Sequence, residues 1–290
     1  MRNLFIFGYG FSSTAIAAAC KDQFDQIIGT TRNAESFSKL VADALTPALF
    51  DGEKLTQQTQ EHLNTASHIL ISISPNENGD RVLNTCRSAL AKNKNLKWIG
   101  YLSTVGVYGN HEGAWVDETS ECRPVSKRSV ERVAAENAWQ KFSTENNISL
   151  AIFRLSGIYG PGRNAFMNIE KGIARRLIKK DQVFNRIHRE DIGEAVCCAI
   201  KITASGIFNI TDDEPAPPQD VVTLAHELIG KTPPVEIDFK TADLTPMARS
   251  FYGENKRVSN TKSKTVLGMV YKWPNYRVSL KRMFDDASYK

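Results

Sequence analysis

The segment Leu4-Phe5-Ile6-Phe7-Gly8-Tyr9-Gly10-Phe11-Ser12-Ser13 carries the strongest structural signal in the chain. Its four apolar residues predict a buried strand, and the alanine-rich stretch that follows predicts a helix. The turn between them fits the pattern G-x-G-x-x-G, with serine in the place of the last glycine. The first glycine permits a tight turn, the second lets a pyrophosphate approach the backbone, and the helix N-terminus offers free N–H groups. We therefore predict a dinucleotide site at Gly8, Tyr9, Gly10, Phe11, Ser12 and Ser13.

Short apolar runs alternate with helix-patterned segments over about the first two-thirds of the chain. Strands that are apolar throughout and separated by helices are typical of a parallel sheet covered on both faces. We predict an α/β fold, a doubly wound parallel Rossmann-type sheet with a smaller C-terminal substrate lobe. Right-handed crossovers would place the C-terminal ends of all strands at one edge, where ligands bind. The predicted strands are residues 4–7, 26–31, 48–50, 67–73, 96–103 and 150–155.

The composition changes after about residue 156, where a glycine-rich loop spans 157–163. An acidic and proline-rich tract at 212–218 breaks regular structure, and 206–211 predicts a strand that returns to the main sheet. Loop 250–259 is expected to return towards the cleft. We predict a dinucleotide-binding domain of residues 1–155 plus about 183–212, and a substrate-binding lobe of about 156–182 and 213–290.

Composition and charge exclude several classes of protein. The chain has 290 residues, 41% of them hydrophobic, and 37 Lys and Arg against 32 Asp and Glu, a net charge of +5. It has no basic arm or Cys/His finger and no apolar stretch of about 18–20 residues, so neither nucleic-acid binding nor membrane spanning is expected. Its five cysteines lack C-x-x-C spacing, which predicts a cytoplasmic protein without a metal site.

The end of the second predicted strand indicates which dinucleotide binds. The run Gly29-Thr30-Thr31-Arg32-Asn33 has no carboxylate for ribose hydroxyls. Arg32 is able to pair with a 2′-phosphate and Thr31 to add a hydroxyl contact, so NADP is favoured over NAD. The alternative is that Arg32 is a solvated loop residue. Other expected cofactor contacts are Asp51 near the adenine amino group and Ser72, Ile73 and Ser74 near the ribose.

Three later segments add to the nucleotide-binding signal of the glycine motif. Residues 101–109 read YLSTVGVYG, 153–163 read FRLSGIYGPGR, and 186–192 read RIHREDI. With the glycine motif, these segments resemble the extended short-chain dehydrogenase/reductase family, which contains nucleotide-sugar epimerases and dehydratases. The resemblance covers nearly the whole chain and implies nucleotide-dependent hydride transfer.

In that family a Ser or Thr on the fifth strand polarises the substrate oxygen, and a Tyr-x-x-x-Lys pair on the next helix supplies the acid/base and a cofactor contact. Thr104 matches the Ser/Thr position, but Arg128 and Arg132 stand where the tyrosine and lysine belong. A guanidinium stays protonated, so Arg128 cannot exchange protons as the tyrosine does. The chain therefore resembles the atypical branch of the family, with Thr104, Arg128 and Arg132 as its catalytic candidates. Thr104 and Arg132 are also expected to contact the cofactor.

The two arginines are four residues apart and so share one helix face. Beside Thr104 they would form an anion-binding pocket; the alternative is that both are surface charges on an exposed helix. No replacement acid/base is convincing among Tyr108, His111, Glu112, Glu131 and His188. The expected substrate-lobe contacts are Arg163, Phe166, Arg186 and His188.

Two functions follow from these residues. The first is an NADP-binding oxidoreductase or epimerase/dehydratase-like enzyme that acts on a small, anionic substrate. The second is a non-catalytic NADP-binding sensor or scaffold that has lost the Tyr/Lys pair. The resemblance further implies a homodimer through helix pairing that involves residues 128–142.

Overall fold

A central sheet of seven parallel strands organises the computed structural model, which describes residues 2–290. The remaining six strands form three two-stranded sheets. The strands are β1 (Asn3–Phe7), β2 (Gln26–Thr31), β3 (Thr46–Leu49), β4 (His68–Ile71), β5 (Trp98–Thr104), β6 (Trp115–Val116), β7 (Ser149–Leu155), β8 (Gly157–Tyr159), β9 (Arg176–Ile178), β10 (Arg186–His188), β11 (Gly206–Ile210), β12 (Glu236–Asp238) and β13 (Arg257–Val258).

The strand order in the central sheet is β3-β2-β1-β4-β5-β7-β11, and every neighbouring pair is parallel. The order reverses between β1 and β4, and a crevice for ligands opens at such a reversal in doubly wound sheets. The predicted α/β fold class is therefore confirmed. The predicted return of residues 206–211 to the sheet is also confirmed, since β11 pairs with β7.

Helices cover both faces of the sheet. In β1, Leu4 and Ile6 pack in one apolar cluster with two helices, Phe11–Cys20 and Arg189–Lys201. Phe5 and Phe7 pack on the other face with three helices, Gln57–Thr65, Arg81–Lys92 and Lys127–Asn146. Within residues 2–290 no helix is long and apolar enough to cross a membrane. The helices are α1 (Phe11–Cys20), α2 (Phe37–Ala42), α3 (Gln57–Thr65), α4 (Arg81–Lys92), α5 (Lys127–Asn146), α6 (Ala165–Glu170), α7 (Arg189–Lys201), α8 (Pro218–Leu228), α9 (Pro246–Phe251), α10 (Thr261–Leu267) and α11 (Tyr276–Asp285).

Several strands of the central sheet differ from the sequence prediction by one or two residues at an end, as β4 and β5 do, and the short strands outside that sheet were not predicted. The third strand covers Thr46–Leu49 rather than 48–50, because its pairing with β2 begins at Thr46. The segment 157–163 is not loop throughout, since its first three residues form β8, which pairs in parallel with β10. This pairing was not predicted because its partner lies almost thirty residues later in the chain.

Of three smaller apolar clusters, one adjoins the end of β5 and two lie apart from the sheet. One of these two joins α6, α8 and α11 through Phe166, Ala225 and Leu280. The other joins β9 to the segment around α9 through Leu177 and Tyr252. Both clusters belong to the segments assigned to the substrate lobe, whose boundaries stay a prediction.

A buried ion pair connects α5 to the sheet. The Arg154 guanidinium donates from Nη2 to Glu136 Oε2 at 2.7 Å, and only 5% and 3% of these two side chains are exposed. Ser103 Oγ donates to the same carboxylate. Arg154 also lies over the Tyr108 ring, 4.8 Å from its centroid. The pair therefore fixes α5 against β5 and β7, next to Thr104.

The Glu136→Ala substitution is expected to destabilise the fold by about 3–5 kcal/mol, because it leaves the buried Arg154 charge without a partner. Denaturant unfolding measures the loss. Glu145→Ala is the matched control, since it removes an exposed carboxylate from an ion pair with Arg87 and is expected to cost about 0–1 kcal/mol. Equal losses in the two variants would contradict this account of the buried pair.

Candidate functional site

The glycine loop is held by contacts from two neighbouring strands. Gly8 has a φ of +89°, which favours glycine, and its N–H donates to Thr30 Oγ1 at 2.8 Å. A Cβ at Gly8 would lie 2.9 Å from Ile73 Cγ1. The loop after β1 therefore touches both the end of β2 and the loop after β4. Ser13 Oγ donates to the Gly8 carbonyl oxygen at 2.7 Å, so the serine that replaces the third glycine stabilises the turn.

The N-terminus of α1 is open to a ligand. Its N-cap residue, Gly10, supplies no side-chain hydrogen bond, so the first N–H groups of the helix are free of a cap. A Cβ at Gly10 would have no atom within 4 Å. An uncapped helix N-terminus beside exposed backbone suits a pyrophosphate, and the residues present therefore fit a dinucleotide.

The residues expected around the adenosine lie at the same edge of the sheet. Arg32 is exposed directly after β2 and makes no hydrogen bond or ion pair with another described residue. Asp51 is exposed, and its Oδ1 accepts from the N–H groups of Glu53 and Lys54, which lowers the pKa of its carboxyl group. The Tyr9 hydroxyl donates to Asp43 Oδ2 at 2.9 Å. Of these side chains, the Arg32 guanidinium is therefore the one left free for a phosphate.

A cavity of about 830 Å³ opens beside the ends of β4 and β5 and extends to α8, α9 and α11. Its apolar wall includes Val221, Phe251 and Leu280. Five cationic and two acidic side chains also line it, an arrangement that favours a ligand with negative charge. They are Arg128, Arg132, Arg163, Arg186, Lys256, Glu131 and Glu254.

Arg132 is tied to the sheet by its own hydrogen bonds. Its Nη1 donates to the Leu102 carbonyl oxygen at 2.7 Å and to the Tyr101 hydroxyl at 3.2 Å, and its Nη2 donates to Ser74 Oγ at 3.1 Å. Thr104 lines the cavity next to this group, and its Oγ1 accepts from the Gly106 N–H at 3.1 Å. Arg132 thus places a fixed positive charge at the ends of β4 and β5.

Arg128 has no such partners. Its guanidinium lies over the Phe251 ring, 5.1 Å from the centroid, and forms neither a hydrogen bond nor an ion pair within residues 2–290. Because the side chain is exposed and lines the cavity, its donors face the space where a ligand would lie. The two arginines therefore share a helix face but differ in their freedom to bind an anion.

The four residues expected to contact substrate fall into two groups. Arg163 and Arg186 line the cavity. Phe166 and His188 do not line this cavity, and their contact with a substrate stays a prediction. Phe166 is 2% exposed in the α6–α8–α11 cluster. His188 is fully buried, where it caps α7 and stacks on Trp273, and burial lowers its pKa to about 4.

The sequence did not identify Lys256 and Glu254 as site residues. Lys256 Nζ donates to Glu254 Oε2 at 2.6 Å and to the Gly109 carbonyl oxygen at 3.0 Å. The two side chains are 6% and 14% exposed, and burial lowers the pKa of the lysine. The available signal was the expected return of loop 250–259 to the cleft, which brings this pair to the cavity wall.

Comparison with solved structures shows how widely this architecture is shared. A conserved protein of unknown function from Silicibacter pomeroyi is 43% identical over 100% of both chains, with a TM-score of 0.91. UDP-glucuronic acid 4-epimerase from Bacillus cereus, solved with NAD, is 15% identical over 98% of this chain and 96% of its own, with a TM-score of 0.78. UDP-glucose 4-epimerase from Thermus thermophilus, also with NAD, is 17% identical over 98% of this chain and 99% of its own, with a TM-score of 0.73.

No curated protein matches the chain in sequence. The family model for NAD-dependent epimerases and dehydratases matches residues 8–210. The match begins at the glycine loop and ends with β11, so it spans the whole central sheet except the first strand. By this match the chain belongs to the NAD-dependent epimerase/dehydratase family.

Proposed function

We propose that the protein binds NADP and transfers a hydride to or from a small substrate that carries a carboxylate or phosphate. The observation that supports this proposal is the unpaired Arg128 guanidinium, which faces the cavity at the edge of the sheet that binds the cofactor. In family members with a tyrosine at that position a neutral hydroxyl would lie there. A permanent cation in its place favours an anionic group on the substrate.

The residues assigned to the cofactor follow from the geometry of the sheet edge. The free N–H groups of α1 and the backbone at Gly10 would hold the pyrophosphate, and Arg32 would pair with the 2′-phosphate. Arg132 adds positive charge near the nicotinamide ribose, held there by its bonds to β5. When bound, the nicotinamide supplies the hydride chemistry, and Thr104 polarises the substrate oxygen.

Proton transfer is assigned to Lys256. Two of its three N–H groups are used by Gly109 and Glu254, which leaves one for a ligand in the cavity. Glu254 offsets the charge of the ammonium group, so the pair attracts an anion less than a lone lysine would. Because burial lowers its pKa, the ammonium group gives up a proton more readily than an ordinary lysine.

The Arg32→Ala substitution tests the cofactor assignment. We expect NADPH to bind more tightly than NADH, and the substitution to weaken NADPH binding by about 10- to 100-fold, because a charge-assisted hydrogen bond contributes about 1.5–3 kcal/mol. Calorimetric titration with both nucleotides measures the difference. Arg87→Ala, which removes an exposed arginine from α4, is the control. Equal affinity for the two nucleotides in the unsubstituted protein would contradict the preference for NADP.

The Arg128→Gln substitution tests the anion site. In the NADP-loaded protein each acid is compared with a neutral counterpart, glucuronic acid with glucose and lactate with lactamide. We expect tighter binding of the acids, and a loss of about tenfold or more in that preference upon substitution. The matched control is Arg123→Gln, which removes an exposed arginine paired with Glu121. The proposal of an anionic substrate fails if acids and neutral ligands bind equally well.

The Lys256→Met substitution tests the proton-transfer assignment. A screen of carbonyl compounds and sugar nucleotides first identifies a substrate, and turnover is measured on that substrate. Turnover is expected to fall by about 10²–10⁴-fold while NADPH binding stays unchanged, and Lys256→Arg is not expected to restore it. Lys240→Met provides an exposed control. Full turnover in the methionine variant would overturn the assignment. Stoichiometric NADPH binding without turnover of any compound would instead favour the non-catalytic sensor or scaffold.

A further inference from the structure

The helix that follows the glycine loop packs unusually closely against α7. A Cβ at Gly193 of α7 would lie 2.7 Å from the Ala15 carbonyl oxygen of α1 and 3.3 Å from Ala19 Cβ. The two backbones are therefore almost in contact at this crossing. One turn further along α7, Cys197 lies at the C-terminal end of α1, whose last residue is Cys20.

Two thiols meet at this end of the helix pair. Cys20 is fully buried and Cys197 is 3% exposed, and their side chains hydrogen-bond to each other. Cys197 Sγ also lies 3.3 Å from the Ala19 carbonyl oxygen. Ala19 is the residue before Cys20, so the Cys197 sulfur lies against the last turn of α1, beside Cys20.

The surroundings distinguish the two sulfur atoms. The hydrogen bond from Cys20 lowers the pKa of the Cys197 thiol, and Lys201 and the Gln23 side chain lower it further. Gln23 Nε2 lies 2.5 Å from Cys197 Sγ, so its N–H points at that sulfur. The same hydrogen bond and burial raise the pKa of Cys20. Cys197 is therefore the sulfur that takes on thiolate character, and the thiolate is the reactive form.

We propose that Cys20 and Cys197 are an oxidation site that forms an intramolecular disulfide with a hydroperoxide. The Cys197 thiolate attacks one peroxide oxygen, the O–O bond breaks, and hydroxide leaves, so that Cys197 becomes a sulfenic acid. The Cys20 sulfur then attacks the sulfenic sulfur and the S–S bond forms. The hydroxyl group and the Cys20 proton leave as water. Overall, two thiols are oxidised while one hydrogen peroxide is reduced to two waters.

The other cysteines provide internal controls. Cys86 is buried against the opposite face of the sheet, and burial raises its pKa to about 12. Cys198 is half-buried, and its Sγ lies 3.3 Å from Glu194 Oε1. Burial and that carboxylate raise its pKa to about 11. Cys122 is half-buried near Tyr108. A thiol that reacted through exposure alone would be Cys122 or Cys198.

Peptide mapping of the full chain after treatment with hydrogen peroxide tests the proposal without any substitution. We expect a single cross-linked peptide that joins Cys20 to Cys197, with a mass about 2 Da below that of the two thiol peptides, and its loss on treatment with dithiothreitol. Backbone amides of α1 are expected to exchange with deuterium more slowly after oxidation, because the link holds the helix end. Both readouts are independent of nucleotide binding.

Three variants refine the test. Cys20→Ser removes the resolving thiol, so Cys197 is expected to persist as a sulfenic acid that dimedone traps. Cys198→Ser, the adjacent control, is expected to leave the cross-link unchanged. Oxidation confined to Cys122 or Cys198, or no linked peptide at a peroxide dose that oxidises those thiols, would overturn the proposal. So would dimedone labelling of Cys197→Ser to the same extent as Cys20→Ser.

Discussion

The contact of Gly8 with its two neighbouring strands is the constraint on which the nucleotide site depends. The N–H of Gly8 bonds to Thr30, and its Cα packs against Ile73 with no room for a side chain. Three strand ends are thereby brought to one point, and the N-terminus of α1 is directed at the space above them. Close packing of α1 against α7 at Gly193 then holds α1 in this position.

The sheet was predictable from sequence because its signals are local. Each strand is a short apolar run, and the glycine loop lies within ten residues of the strand that it follows. The cavity was harder to predict, because Lys256 meets Gly109 across almost 150 residues of chain. Sequence position also could not show that His188 and Phe166 turn into the core, since both lie within segments that otherwise line the cavity.

Arg128 and Arg132 show the limit of helical spacing as a guide to role. Their spacing of four residues correctly predicts that they share one helix face, but it does not distinguish their roles. The structure separates them, because Arg132 reaches acceptors on β5 and in the loop after β4, whereas among the described residues 2–290 Arg128 has no hydrogen-bond acceptor and lies over the Phe251 ring. Within residues 2–290, Arg132 is therefore a cation held by the sheet, and Arg128 is a cation without a hydrogen-bond partner.

The buried Glu136–Arg154 pair gives the two walls of the cavity different supports. It joins α5 to β5 and β7 one turn beyond Arg132, so the wall that carries both arginines is anchored in the sheet. The opposite wall is different, because α9 is a six-residue helix whose Phe251 is 52% exposed. One wall of the cavity is thus joined to the core of the sheet by a buried ion pair, whereas the other presents an exposed aromatic ring to solvent.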